Sequence, residues 1–547
     1  MNQRTSEDGR GVTTISGIPL KTVYTPADIA DQDYEREIGS PGREPYTRGP
    51  YPEMYRARPW RIFQLSGYGL PEDERARIKF LLEHGETGFT MEPDLMTLYG
   101  MYDLDSPEVY ERREELGMYG APLLSLREYE RALEGIPIEK LYAHPGAVTP
   151  ICSPYCHACY FSVARNRGIA LRDLRGTGEG DFFLAYLATP MTKLIPPEHG
   201  LRLNCDLIEF CVENLPGWVP VSVPGTNARE SGLNGVQQIA VTFANNIAYI
   251  DELLRRGRHK IDDFAHALGG VGFCPHMDFF EDIAIMRAAR RMWCKLLKER
   301  YGSRDPRSTR LRIHVNVQGS TSTRQQPLNN IVRGTVGMMA AALGGVQSAG
   351  VAAFDEAICI PSEQAHIMSV RTQQILQLES GVANVVDPLA GSYFVEHLTN
   401  EVEKRAWGYL NAIESHGGFI AALKSGWLHR ETAREAMAYE RKVNSGELKV
   451  VGVNCERMEE EPYQVPAFSA RPGEEVYRII RERLEELKRE RDPREAGGAF
   501  DDLRRALESG ENVMLAMMRA VNAGLTACEI GNLERAAFGV WEAPLPL

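Results

Sequence analysis

Strand-like and helix-like segments alternate between residues 61 and 354, and this constrains the fold of the chain more than any other feature. Eight segments read as strands: 61–67, 88–94, 141–148, 174–180, 219–225, 266–273, 312–319 and 346–354. Most are separated by a long amphipathic helix. In 279–302, for example, Phe280, Ile283, Met286, Met292, Leu296 and Leu297 fall largely on one stripe. Eight such units predict an α/β fold, a TIM (β/α)8 barrel, whose chemistry sits at the C-terminal ends of the strands. Residues 1–45 read as an N-terminal arm, and 46–454 as the barrel domain with its flanking helices. An acidic, proline-bearing linker follows over 455–473, then a helical C-terminal extension over 474–547.

The stretch that enters the barrel, Tyr46–Trp60, holds three tyrosines, a tryptophan, three arginines and three prolines. Proline fixes φ and removes donors, which predicts an extended arm and not a helix. With few aliphatic residues to bury, it reads as an exposed aromatic arm. Its tyrosine and arginine faces are delivered to one end of the barrel, suited to a ring system or an anion.

Bulk properties exclude some partners. A net charge of −13 over 547 residues argues against nucleic acid or an anionic membrane. No eighteen-residue apolar run and no signal-peptide pattern is present, so the expected location is the cytoplasm. Most of the ten cysteines are scattered singly and read as free thiols. Cys152, Cys156 and Cys159 are the exception. Their spacing matches the cluster motif of radical S-adenosylmethionine enzymes, where three thiolates leave one iron open. Against that reading, Ala158 stands where an aromatic residue is usual, and buried or surface thiols are the simpler expectation. The run GTGEG (176–180) reads as a turn and not a dinucleotide loop.

Five blocks coincide in order: YTRGPYPEMYRARPW, RIHVNVQGSTSTRQQPLNNIVRGT (312–335), DEAICIPSEQA (355–365), ESGVANVVDPLAGSYFVEHLT (379–399) and VVGVN (450–454). Together they resemble the large subunit of the adenosylcobalamin-dependent acyl-CoA mutases, the methylmalonyl-CoA mutase family, from about Tyr46 to Asn454. The chain beyond 455 resembles the helical extension of members acting on 2-hydroxyisobutyryl-CoA and isobutyryl-CoA. The resemblance implies a CoA arm threaded along the barrel axis, a cobalamin domain over the C-terminal face, and a radical 1,2-rearrangement. The family's cobalt-ligating Asp-x-His-x-x-Gly motif is missing, since none of the twelve histidines has Asp two positions before it. The cobalt ligand is therefore expected from a separate small cobalamin-binding subunit, in a heterotetramer of two large and two small chains.

The same resemblance implies site residues. Leu65 replaces a tyrosine over the corrin, Glu92 matches an aspartate that binds a substrate hydroxyl, and Asn227 replaces the histidine at the thioester carbonyl. Thr189 stands where the diacid mutases place an arginine, and Glu179 replaces a glutamine. Arg58 is kept and Arg61 is an added cation, whereas Phe63, Ala267 and Gly269 replace CoA-holding residues. Ser348 and Asn316 join the expected substrate contacts. Gly67, Glu230, Glu356 and His314 are expected on the cofactor side. These substitutions point to an uncharged or hydroxylated branched acyl-CoA and away from methylmalonyl-CoA. Three alternatives stay open: the same chemistry on an acyl group without CoA, a non-catalytic partner-binding subunit, and the iron–sulfur enzyme.

Overall fold

In the computed structural model, residues 12–189, 191–317, 319–459, 463–465 and 471–544 are described. Nine parallel strands surround one axis: β1 (Arg61–Ile62), β2 (Gly88–Thr90), β3 (Tyr142–His144), β4 (Arg175–Thr177), β5 (Trp218–Val219), β6 (Val223–Pro224), β7 (Gly270–Phe273), β8 (Arg312–Val317) and β9 (Ser348–Val351). They form two sheets, ordered β1-β9-β8-β7-β6 and β2-β3-β4-β5. β5 and β6 are the two ends of the predicted strand 219–225, so eight strand positions account for all nine pieces. The other strands are shorter than the sequence predicts. The segment 266–273 opens inside the helix Ile261–Leu268, and only Gly270–Phe273 is extended.

Two seams separate the sheets, and local hydrogen bonds bridge both. Between β1 and β2, Thr87 N donates to Ile62 O at 3.1 Å and Glu92 N to Ser66 O at 2.9 Å. Between those bonds Gln64 N donates a hydrogen bond to the buried Glu86 carboxyl, in place of a backbone carbonyl. Across the other seam, Ser222 N, just before β6, donates to Gly178 O beyond β4 at 2.7 Å.

Along β8 the alternation is strict. Ile313, Val315 and Val317 are buried beneath helices, while Arg312, His314 and Asn316 line the axis. On neighbouring β7 the axis-lining positions are Gly270 and Gly272. Barrel interiors of this kind are ordinarily filled by layers of branched side chains. With glycines on β7 and polar groups on β8, this axis instead encloses a cavity of about 880 Å³.

Tyr46–Trp60 is neither extended nor exposed as a whole. Tyr46 and Trp60 are each 2% exposed, Tyr55 is buried, and Met54–Arg56 forms a 3-10 turn. The reason is a partner that composition does not reveal. Fully buried Arg290 donates from Nε to Tyr46 O at 2.9 Å and from Nη2 to Thr47 O at 2.8 Å, pinning the arm's start. At its end Trp60 Nε1 donates to Gln373 Oε1 at 3.2 Å, and the indole meets the Tyr55 ring edge-on at 4.9 Å. Tyr51 and Arg58 stay exposed and face the cavity mouth.

The helix Phe279–Lys295 buries Ile283, Met286 and Met292 as the stripe predicts, and a π-helical turn buries Leu296 and Leu297. Phe280 departs from the stripe at 41% exposed, its ring 5.2 Å from Phe394. The C-terminal helices Gly473–Glu490, Pro493–Ser509, Met514–Asn522 and Ala527–Phe538 pack back on the barrel. Ala527 N donates to Leu124 O, and Arg535 to Gly100 O and Met101 O, each at 2.9 Å. In the linker segment 455–473, residues 460–462 and 466–470 lie outside the described residues. Among the described residues, no helix is long and apolar enough to cross a membrane.

Candidate active site

At the N-terminal mouth of the cavity, Arg61, Arg175 and Arg312 open their strands, and Arg58 reaches the mouth from the arm. The Arg61 guanidinium lies over the Tyr142 ring, 4.4 Å from its centre. Arg312 Nη2 donates to His266 O at 2.6 Å. Among the described residues, no carboxylate forms an ion pair with any of the four. Sequence reasoning found Arg58 and Arg61 but missed Arg175 and Arg312.

The middle of the cavity is aromatic and neutral. Phe63 meets the Tyr142 and His314 rings edge-on at 5.8 and 5.9 Å. His314 bonds Ser348 Oγ through Nδ1 at 2.9 Å and Asn316 Oδ1 through Nε2 at 3.0 Å. The Asn316 oxygen can only accept, so Nε2 carries the proton and the Ser348 hydroxyl donates to Nδ1. Burial pushes the imidazole down to about 4, which keeps it neutral. His314, expected on the cofactor side, thus stands inside the cavity with Ser348 and Asn316. His144 lines the same cavity, 3% exposed, with both ring nitrogens buried away from it. Burial, with His157 and His314 nearby, pushes it down to about 3.

The C-terminal end carries carboxyls. Glu92 stands two positions beyond Thr90 at the end of β2, outside the residues that line the cavity, and accepts a hydrogen bond from the Tyr99 hydroxyl. Burial pushes it up to about 7, against the pull of that hydrogen bond. Glu179 lines the cavity beyond β4, raised well above the usual carboxylate range by burial and by nearby Asp181 and Glu92. Asp181 accepts from Phe183 N at 2.9 Å, Leu184 N at 3.1 Å and Asn227 Nδ2 at 2.8 Å. Asn227 is therefore held by Asp181, a tie the sequence did not suggest. A Cβ at Gly67 would stand 2.6 Å from Glu92 Cβ, so only glycine lets β1 pass this close. Thr189 is not brought in. It does not line the cavity, and its hydroxyl is spent on Leu184 O at 2.7 Å.

Beyond this end lies an open rim. Leu65 is 53% exposed there, unusual for a leucine at a barrel's C-terminal end. Glu230 accepts from Ser320 N at 2.9 Å and Ser320 Oγ at 2.7 Å. A Cβ at Gly319 would stand 3.3 Å from Glu356 Cγ and 3.9 Å from Glu230 Oε2, which places those carboxyls on either side of one bare backbone position. Cys274 Sγ lies 3.2 Å from Glu230 Oε1, and His276 Nε2 lies 3.6 Å from it. Among the described residues, only Glu230, Cys274 and His276 converge as three potential metal ligands.

Cys152, Cys156 and Cys159 do not form such a group. Cys152 caps the helix Ser153–Asn166, which carries Cys156 and Cys159 and whose residues 153–164 are all buried. That helix lies between the barrel and Met514–Asn522. A helix covered on all sides needs small apolar side chains, and buried thiols provide them.

His144, Tyr99, Asp181, Arg175 and Arg312 are the residues that sequence reading missed. A two-residue step along each strand finds several of them: Arg312 below His314, Arg175 below Thr177 and Glu179, Tyr142 below His144.

Comparison with known proteins agrees with this arrangement. The profile of the family described as methylmalonyl-CoA mutase matches residues 13–540. The 2-hydroxyisobutanoyl-CoA mutase large subunit of Aquincola tertiaricarbonis is 36% identical over 534 residues, covering 96% of this chain and 92% of the relative. Methylmalonyl-CoA mutases of Cereibacter sphaeroides and Escherichia coli are 34% and 33% identical, over 98% and 97% of this chain and 73% and 72% of theirs. With an α/β barrel open along its axis and a profile match over nearly its whole length, the chain belongs to the methylmalonyl-CoA mutase family of adenosylcobalamin-dependent isomerases.

Proposed function

We propose that this chain is the large, substrate-binding subunit of a carbon-skeleton mutase acting on an uncharged or hydroxylated branched acyl-CoA, and not on methylmalonyl-CoA. The observation that carries the reading is the reversal of charge along one cavity. Among the described residues, four arginines without acidic partners surround its N-terminal mouth, and the opposite end is free of cations, with Glu179 lining it and Glu92 close to Glu179 just beyond β2. The polyanionic end of CoA suits the first, through forked charge-assisted hydrogen bonds. A second carboxylate on the acyl group would meet Glu179 and no cation at the other end, and a buried unpaired charge is costly.

The residues at the rim fit the family's cofactor. Half-exposed Leu65 offers an apolar face, and the bare backbone at Gly319 leaves room beside Glu230 and Glu356. Gly67 and Glu230 would hold the corrin side, and Glu356 the adenosyl ribose. When bound, adenosylcobalamin supplies the radical chemistry that permits the 1,2-shift. The cobalt ligand would come from a separate small subunit, in a heterotetramer.

This chain's own residues bind, orient and exclude water. His314, fixed by Ser348 and Asn316 in one tautomer, presents a neutral ring to the pantetheine path. Asn227, held by Asp181, is the residue assigned here to orient the thioester oxygen. The carboxyl of Glu92, aligned by Tyr99, accepts a substrate hydroxyl proton in a hydrogen bond. The cavity walls, with a cofactor domain over the open rim, would keep bulk water from the reacting carbons.

The test is turnover by the chain reconstituted with a small subunit bearing Asp-x-His-x-x-Gly. Branched and hydroxylated acyl-CoAs should isomerise and methylmalonyl-CoA should not. Preference for methylmalonyl-CoA, or for a free acid over its CoA ester, would overturn the proposal.

A further inference from the structure

Cys274 and His276, at the C-terminal rim, have no part in the function proposed above. The cluster they form with Glu230 is built from the ends of three adjacent strands, β6, β7 and β8. Glu230 closes the short helix Thr226–Glu230 after β6, Cys274 and His276 follow β7 directly, and Ser320 stands just beyond β8. Residues two apart in a chain leaving a strand face the same side, and here both face Glu230. Pro275 between them fixes its own φ and stiffens the step.

The distances suit a small tetrahedral ion. Cys274 Sγ lies 3.2 Å and His276 Nε2 3.6 Å from Glu230 Oε1. The ligand atoms of all three residues lie within 4.8 Å of one another. Zinc bonds of about 2.0–2.3 Å to oxygen, nitrogen and sulfur, at tetrahedral angles, set neighbouring ligand atoms about 3.3–3.6 Å apart. Both distances from Glu230 Oε1 come close to that spacing. The Cys274 thiol and the Ser320 hydroxyl each donate to Oε1, so the ligand atoms are already gathered and lose little freedom on binding. Ser320 Oγ lies 3.2 Å from His276 Nε2 as well, which sets an oxygen beside the trio at a fourth corner. Cys274 and His276 are buried and Ser320 is exposed, so an ion would enter from the Ser320 side.

We propose that Glu230 Oε1, Cys274 Sγ and His276 Nε2 bind one Zn2+ ion, with water or Ser320 Oγ in the fourth position. The inference stands apart from the acyl-CoA reading. A thiolate and a carboxylate supply two negative charges and a neutral imidazole none, which matches a dication. Sulfur and nitrogen ligands favour zinc over Mg2+ and Ca2+, which take oxygen. On binding, the Cys274 S–H bond breaks, the sulfur's electron pair goes to the ion and the proton passes to the buffer. His276 then keeps its proton on Nδ1. Glu230 Oε2 still accepts from Ser320 N at 2.9 Å, so the ion orients this carboxyl without withdrawing it from the rim.

The experiment is Zn2+ titration of the full chain, stripped of metal under reducing conditions. One ion per chain should bind with a Kd on the order of 1 μM or tighter, release about one proton and raise Tm. Co2+, used as a spectroscopic probe, should give a thiolate-to-metal absorption band. Cys274→Ser, nearly isosteric, should abolish that band, and Cys274→Ser and His276→Gln should each weaken Zn2+ about a hundredfold. Circular dichroism of the metal-free variants should match that of the native chain, which separates a lost ligand from a misfolded protein. Cys359→Ser with Cys455→Ser removes the two partly exposed thiols and should leave every readout as it was.

No Zn2+ uptake would overturn the inference. So would a Co2+ band that survives Cys274→Ser, an ion lost with Cys359 and Cys455, or Mg2+ binding as tightly as Zn2+.

Discussion

The two ends of the axial cavity differ in charge and also in how they are built. The arginine mouth stands at the starts of strands and on the arm, with Arg58 and Arg175 exposed to solvent. The carboxyl end is enclosed, and Glu92 and Asp181 are both pushed up to about 7 by burial. Exposed cations act over distance, are screened by salt, and suit a multiply charged anion whose shape matters little. Enclosed carboxyls act at contact, respond to pH, and discriminate by hydrogen bonds, where an unmatched group is costly. One cavity therefore separates a general handle from a specific reader. The arginine mouth sets how tightly any CoA ester binds, and the carboxyl end sets which one.

The largest expected effect tests whether the arginine mouth depends on its anchored arm. Trp60→Ala removes a buried indole, its contact with Tyr55 and its bond to Gln373, and should cost about 3–5 kcal/mol of stability, read as a lowered Tm. CoA affinity should fall with it, because Arg58 and Arg61 flank that indole. A stable variant with unchanged CoA binding would show that the mouth does not need the arm. Next in size is Arg61→Ala with Arg175→Ala. CoA and every acyl-CoA should weaken about a hundredfold, equally for all acyl groups, with a shallower salt dependence. Acyl-pantetheine esters, which lack the nucleotide phosphates, should be nearly unaffected. Equal losses for both ester types would break the division between handle and reader.

Legibility in the sequence differs between the two ends in the same physical way. The barrel was readable because strand–helix alternation is a local, repeated pattern, and the inward rows follow from a period of two. Its open axis was not, since it depends on Gly270 and Gly272 facing polar residues of other strands. The arm was misread as exposed because its burial rests on Arg290, about 240 positions away. At the carboxyl end, Glu92, Glu179 and Asn227 were found by resemblance, but the Tyr99 and Asp181 hydrogen bonds exist only in three dimensions. Thr189 was placed by resemblance at a position that follows the π-helical turn Leu184–Ala188, where its hydroxyl turns back to Leu184 O. His144 carried no signal beyond its alternation with Tyr142, since a lone histidine in a strand is usually structural.

Smaller effects separate the reader's two acids. Tyr99→Phe removes the hydrogen bond that favours ionised Glu92, so the pH at which a hydroxyacyl-CoA binds half-maximally should move upward. Affinity should change about three- to tenfold, and isobutyryl-CoA should not respond. A loss shared by isobutyryl-CoA would mean that Tyr99 shapes the cavity and does not tune the acid.

Glu92→Gln carries the pH argument into stability without any ligand. In the folded chain Glu92 titrates at about 7 against an ordinary value of 4.5, so between those values the folded state holds a proton that the unfolded state has released. Its contribution is therefore fully present below about pH 4.5 and is lost as pH rises through about 7, so the native protein should be destabilised on that rise. For a half-buried group the size is on the order of 1–3 kcal/mol. Replacement by glutamine, which has no proton to lose, should flatten the fall of Tm between pH 4.5 and 7. It should not abolish it, because Glu179 and Asp181 are raised in the same direction by the same burial. The arginine mouth offers a matched control. Arg61→Ala should leave the slope untouched, since an arginine stays charged throughout that range. An unaltered slope in Glu92→Gln would mean that the carboxyl is hydrated in solution. The two ends of the cavity would then be alike in exposure and differ only in sign.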